Sequence, residues 1–207
     1  MSRKPRLLLS RQALADNYQR LSSFSGQAVC AASIKANAYG VGIEFAAPVL
    51  WEAGCRTYFV AYLEEALALR SLLPDAVIYA FHGYTPDEFS VARDKNIRPV
   101  INTSDEATTQ GIASLRPALH IDTGMRRLGI PHEEFERLPA LMECCQPSLL
   151  MSHLASADES GSLQSQQQLA QFESVRDALG SRCPPSSLAN TAGILLGENY
   201  QFDLVRP

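Results

Sequence analysis

Short apolar runs alternate with amphipathic stretches along almost the whole chain. The runs read "AVCAASI", "TYFVAY", "AVIYAF", "RPVIN", "PALHID", "SLLMSHLA", "SSLAN" and "FDLV". Most are apolar on both faces, the pattern of strands buried within a parallel sheet. The stretches between them carry helix signals. An opening helix is predicted from Ser10 to Leu21. Tyr62, Ala66, Leu69 and Leu73 share one helical face before Pro74. Thr85 with Glu88, and Thr103 with Glu106, have the spacing of capping boxes, the first with proline at the opening helical position. Leu169, Phe172, Val175 and Leu179 form another apolar face, and Gly180 stands where a helix-ending glycine belongs.

Strand and helix alternating in this way predicts parallel βα units. An open doubly wound sheet and a closed (β/α)8 TIM barrel both satisfy the pattern. Eight units in 207 residues suit a compact barrel, near the lower end of the usual ~200–250 residues. No linker, repeat or composition shift divides the chain, so residues 1–207 read as a single α/β barrel domain. The last run, "FDLV", has only "RP" after it. A barrel lacking its last helix is expected to leave part of a strand layer exposed.

Composition narrows the class. With 46% hydrophobic residues the chain can bury a sizeable core. A net charge of −4 gives no footprint for nucleic acid or an anionic membrane. The start, "MSRKPRLLLS", has too short an apolar segment for a signal peptide, and no run reaches membrane-spanning length; a cytoplasmic protein is expected. Cys30, Cys55, Cys144, Cys145 and Cys183 form no C-x-x-C pair, so neither a disulfide framework nor a metal site is indicated.

Candidate chemistry falls at predicted strand ends, which face the active site of a barrel. Apart from Lys4 and Lys95 in polar surroundings, the chain has one lysine, Lys35, which closes a run of small apolar residues. Desolvated there, its amine could form a Schiff base; the plainer reading is a packed stem with its ammonium in solvent. "GVGIEF", Gly40 to Phe45, followed about twenty residues on by Glu64 and Glu65, could suggest a dinucleotide site, but Phe45 stands where the third glycine should be. "HIDTGMRRLGI" delivers two arginines suited to a carboxylate, phosphate or phenolate. His153 ends the sixth run, Asn190 and Thr191 open a small-residue turn of the phosphate-binding kind, and Arg206 follows the eighth run. Each alone has an ordinary structural explanation. Together they suit a phosphorylated carbonyl cofactor such as pyridoxal 5'-phosphate.

These residues also carry a resemblance. "IKANAYGVG" resembles the cofactor-attachment signature of bacterial alanine racemases, and "HIDTGMRRLGI", "SHLASAD", "ANTAGI" and "DLVRP" resemble further blocks of that family in the same order. The resemblance implies a barrel that carries pyridoxal 5'-phosphate and interconverts L- and D-alanine for peptidoglycan synthesis in the cytoplasm. It implies that Lys35 holds the cofactor and acts as one catalytic base, and that Tyr39 and Thr191, the latter where the family usually has serine, serve the phosphate. Arg127 would contact the cofactor phenolic oxygen and the substrate carboxylate, and His153 would orient Arg206 against the pyridine nitrogen.

Departures from the family pattern bear on these roles. His120 replaces a lysine, often carbamylated, that braces the key arginine, and Val41 replaces a common histidine. Family members also continue with a last barrel helix and a β-rich C-terminal domain. That domain supplies a tyrosine base and much of a homodimer contact. The chain therefore reads as the barrel portion of an alanine racemase, expected to bind cofactor weakly and racemise poorly by itself. A non-catalytic pyridoxal phosphate-binding barrel, an inactive fragment and a decarboxylase of related fold are the alternatives. The first usually has a different attachment segment, and the last a glycine-rich phosphate loop not found here.

Overall fold

The computed structural model describes residues 6–159 and 161–207; Lys4 lies outside them. The first element is helix α1 (Arg11–Phe24), where the Ser10 hydroxyl accepts the Ala13 N–H and caps the start. It runs three residues beyond the expected Leu21. Strands β1 (Val29–Cys30) and β2 (Ala32–Ser33) follow, then a five-residue turn α2 (Lys35–Tyr39) and helix α3 (Ile43–Glu52). Next come β3 (Thr57–Val60), α4 (Leu63–Leu72), β4 (Val77–Ala80), α5 (Phe89–Asp94) and β5 (Arg98–Ile101). The order continues with α6 (Ser104–Ala107), β6 (Ala118–His120), α7 (Leu138–Cys145) and β7 (Leu149–Met151). It closes with α8 (Leu163–Leu179), β8 (Ser186–Ser187), α9 (Thr191–Leu196) and β9 (Leu204–Val205).

Every strand pair is parallel, and β2 to β8 pair in sequence order. The first predicted strand is split because it changes partner at Ala31: β1 pairs with β9 and β2 with β3. Backbone bonds then close the ring. Val29, Ala31 and Ser33 donate to the carbonyls of Asp203, Val205 and Pro207 at 2.8–2.9 Å. On the other side, Asp203 donates to Ser186 and Arg206 to Ala189, both at 3.0 Å. A closed ring leaves no unpaired strand edge.

The expected exposed strand layer is not there. Helix α1 packs against α3, β1 and α9 and lies over the seam between the first and last strands. Tyr18 is buried and donates to the Cys30 carbonyl at 2.8 Å, and the Gln201 amide donates to the Phe24 carbonyl at 2.9 Å. Cys30, Leu204 and Val205 are buried in consequence, and of the seam strands only Val29 stays exposed.

Inside the ring, Phe59 stacks on Tyr79 and on Phe81, with centroids 4.9 and 5.3 Å apart, among Ala31, Val100, Ala118, Leu149, Met151 and Leu204. This plug is packed, as in other barrels. Deleting a fully buried ring such as Phe59 costs about 3–5 kcal/mol. The capping boxes form as expected but open short segments. Thr85 leads a 3-10 turn (Pro86–Glu88) before α5, and Thr103 leads the single turn of α6. Among the described residues no helix is long and apolar enough to cross a membrane.

Candidate active site

A cavity of about 650 Å³ opens at the carboxyl ends of the strands. All seven residues singled out above line it: Lys35, Tyr39, Arg127, His153, Asn190, Thr191 and Arg206. So do Phe81, His82, His120, Met151 and Asp158. Ring closure explains part of this convergence. The Ser33–Pro207 backbone bond sets β2 beside the chain end, so Lys35 and Arg206 rise from adjacent strands.

Lys35 opens a left-handed turn. Ala36, Asn37, Ala38 and Tyr39 all have φ of 52–54°. Residues with a β-carbon pay roughly 1–2 kcal/mol each in that region, so such a run needs support. Some is internal: Gly40, itself at φ 87°, donates to the carbonyls of Ala36 and Asn37, and the Asn37 side chain accepts the Ile43 N–H at 2.8 Å. The half-buried Lys35 side chain extends until its Nζ is 5.5 Å from the Phe81 ring centroid. Among the described residues it makes no ion pair. Tyr39 is 65% exposed at the rim, free to meet a ligand. The dinucleotide reading fails here on geometry as well as on Phe45. Gly40–Phe45 is the exit from this turn into α3, and both Glu65 carboxylate oxygens are taken by backbone N–H groups.

Arg206 is the opposite case. The residue is 4% exposed, and its guanidinium donates to the Ser187 hydroxyl, the Ser152 carbonyl and, at 3.4 Å, His153 Nδ1. Its Cζ lies 5.8 Å from the Phe59 ring centroid. Burial lowers its pKa to about 9, which still leaves it cationic at neutral pH. No carboxylate pairs with it among the described residues. A buried cation without a counter-ion is costly and marks a site built for an anion or a strong acceptor.

The histidines around it are neutral. Burial, then the Arg206 and Arg127 cations, push His120 down to about 3, and the same causes push His153 to about 3. The tautomer of His120 is fixed. Asn102 donates its amide N–H groups to the carbonyls of Phe81 and Val100, so its oxygen faces His120 Nδ1 at 2.9 Å. His120 must donate from Nδ1, which leaves Nε2 as an acceptor. That answers the lysine-to-histidine departure in part: a neutral acceptor, not a carbamate, stands at this position.

The "DTGMRRLG" loop is rigid at its base. Asp122 accepts the N–H groups of Gly124 and Met125, and Ile130 and His120 close the loop at 2.8 Å. A β-carbon on Gly129, at φ 105°, would meet backbone atoms of Ile121 and Asp122 at 2.9 Å, so only glycine fits. Arg127 projects from this loop, exposed, into the cavity. At the phosphate-type turn the Asn190 oxygen caps α9 by accepting the Gly193 N–H at 2.9 Å, so only its NH₂ remains for a ligand. The Thr191 hydroxyl lines the cavity.

Three supporting residues escaped the sequence reading. Asn102 ends the "RPVIN" run as a polar residue, a signal that was present. Glu65 was visible only as a wrong ribose candidate. Gln168 is 1% exposed and ties two loops together. It accepts the Ala155 N–H and donates to the His153 carbonyl and the Thr123 hydroxyl. Nothing distinguishes it within "QSQQQ".

This is a closed parallel β/α barrel with a lysine and two arginines facing the mouth at the carboxyl ends of its strands, the face where barrels of this class carry their sites. Comparison with known proteins makes the family specific. Residues 9–207 match the family model "Alanine racemase, N-terminal domain", and the chain belongs to that family. It is 44% identical to an alanine racemase of Methylobacterium nodulans, over 98% of this chain and 56% of that protein. It is 42% identical to one of Rhizobium meliloti, over 100% and 56%. The fold matches the alanine racemase of Bartonella henselae with covalently bound pyridoxal phosphate at a TM-score of 0.88 and 33% identity, over 96% of this chain and 60% of that one. The biosynthetic alanine racemase of Pseudomonas aeruginosa matches at 0.84 and 29%, over 95% and 56%. The chain thus spans little more than half the length of these relatives.

Proposed function

We propose that this chain is the barrel domain of a pyridoxal phosphate-dependent alanine racemase and holds that cofactor covalently through Lys35. The observation that carries the reading is the buried Arg206, without a carboxylate partner among the described residues, on the strand adjacent to Lys35 at the closing seam. The donor set fits the group. Lys35 offers the amine, Tyr39, Thr191 and the Asn190 NH₂ offer donors for a phosphate, and Arg206 offers a guanidinium for the pyridine nitrogen.

Bound there, pyridoxal phosphate would spread negative charge that develops at the substrate α-carbon. Arg206, cationic at neutral pH, would offer the ring nitrogen a hydrogen-bond donor without giving up its proton. His153, neutral, accepts from Arg206 and helps hold it in place. Arg127 binds the substrate carboxylate at the rim. Lys35 moves the α-proton on its own face of the substrate. Racemisation needs a base on each face, and we assign the second to the part of the relatives that this chain does not span. The finer expectations of a cytoplasmic homodimer supplying D-alanine for peptidoglycan rest on the resemblance to the family.

Titration of the chain with pyridoxal phosphate tests this directly. Visible absorbance should appear, borohydride should fix the cofactor mass on the peptide containing Lys35, and Lys35→Ala should abolish both. A chain that shows neither signal at saturating cofactor overturns the reading. Exchange of the alanine α-proton in heavy water without loss of optical purity would identify a barrel working from one face.

A further inference from the structure

We propose that Glu65 is the positioning residue for Lys35: its carboxylate holds the left-handed turn that aims the lysine and Tyr39 into the cavity. The purpose of this brace rests on the cofactor reading above; its geometry does not. The turn is poorly held by packing, since of its four left-handed residues only Ala38 is buried. Most of its hydrogen bonds run within residues 34–43. The tie from elsewhere in the chain is the Asn37 N–H to Glu65 Oε1, at 3.1 Å and 28 residues away. The other oxygen, Oε2, accepts the Ala61 N–H at 2.7 Å, at the end of the neighbouring strand β3. One side chain therefore pins two successive strand ends to each other. Only a carboxylate can do so, because both partners are donors and an amide presents a single acceptor oxygen. Four strained residues next to a candidate reactive lysine are where such pinning matters.

Glu65→Gln is the test, because it keeps the shape and removes one acceptor. In the cofactor-free chain, amide exchange over residues 36–41 should quicken by about tenfold or more, the size of a lost charge-assisted bond, while α8 stays unchanged. Affinity for pyridoxal phosphate should fall by a similar factor. Adding Ala36→Gly to E65Q should recover part of both, because glycine takes positive φ without penalty. A role in packing alone would leave E65Q at wild-type exchange and wild-type affinity, and that result overturns the proposal, as does the absence of any recovery with glycine. If exchange quickens in E65Q but the wild-type chain takes up no cofactor, the brace stands and the cofactor reading falls.

Discussion

The Lys35 turn and the Arg206 strand end face one another across the seam that closes the barrel, and they are held by opposite means. Lys35 is placed by backbone. Its neighbours sit in a strained left-handed run, and its own side chain touches little beyond the Phe81 ring. Arg206 is placed by side-chain bonds. Its backbone is plain strand end, and its guanidinium is buried among Ser152, Ser187 and His153. The difference matches the two duties proposed above. A group that must form a bond and move a proton needs a precise root and a mobile tip. A group that only presents a fixed charge can be locked along its whole length. Folding stability should therefore depend strongly on one residue and hardly on the other.

Arg206→Lys should give the largest loss. Lysine keeps the buried charge but cannot span three acceptors with a fork, so the desolvation cost stays while its compensation shrinks. A loss of about 2–4 kcal/mol in denaturant unfolding is expected. A loss too small to measure would mean that Arg206 is no more fixed than Lys35 and would remove the contrast.

The neutral histidines sharpen the same side of the comparison through pH. His120 and His153 titrate near 3 in the fold, against about 6.5 in an unfolded chain. Below about pH 6.5 the unfolded state binds more protons, so stability falls as pH falls. Each histidine can contribute up to roughly 1.4 kcal/mol per pH unit in that window. The wild-type melting temperature should drop between about pH 6.5 and pH 4, and His120→Gln should flatten part of that drop. Equal slopes in the two proteins would show that His120 takes up its proton within the fold.

Gln168→Ala is expected to cost somewhat less, about 1–3 kcal/mol, by leaving the Ala155 N–H and the His153 carbonyl without partners. It also exposes what the sequence could and could not reveal. The alternating apolar runs foretold the parallel barrel, because strand burial writes itself into every second or successive residue. "KANAYG" and "DTGMRRLG" were legible because they fix a backbone path over a few neighbours, as Gly129 does by admitting no side chain. Gln168, Asn102 and Ser187 were not, because their meaning lies in partners 13 to 45 residues away, 18 away and 19 away. The cover over the seam was missed for a similar reason: helix α1 precedes the strand it shields, and no local pattern says which strands a first helix will overlie.

The smallest expected effect on folding is the most telling. Lys35→Ala removes an amine that makes no hydrogen bond among the described residues and a stem that is only half buried. Its backbone stays in place, since the bonds that shape the turn belong to Ala36, Asn37, Ala38 and Gly40. Unfolding free energy should shift by no more than about 0.5 kcal/mol, the range for surface substitutions away from special features, while the covalent attachment proposed for pyridoxal phosphate should be lost. A residue retained for its packing could not behave that way. Were K35A to destabilise the barrel as much as R206K, the lysine would be a part of the core with a solvent-seeking tip, and the strain stored in the turn beside it would be left without a purpose.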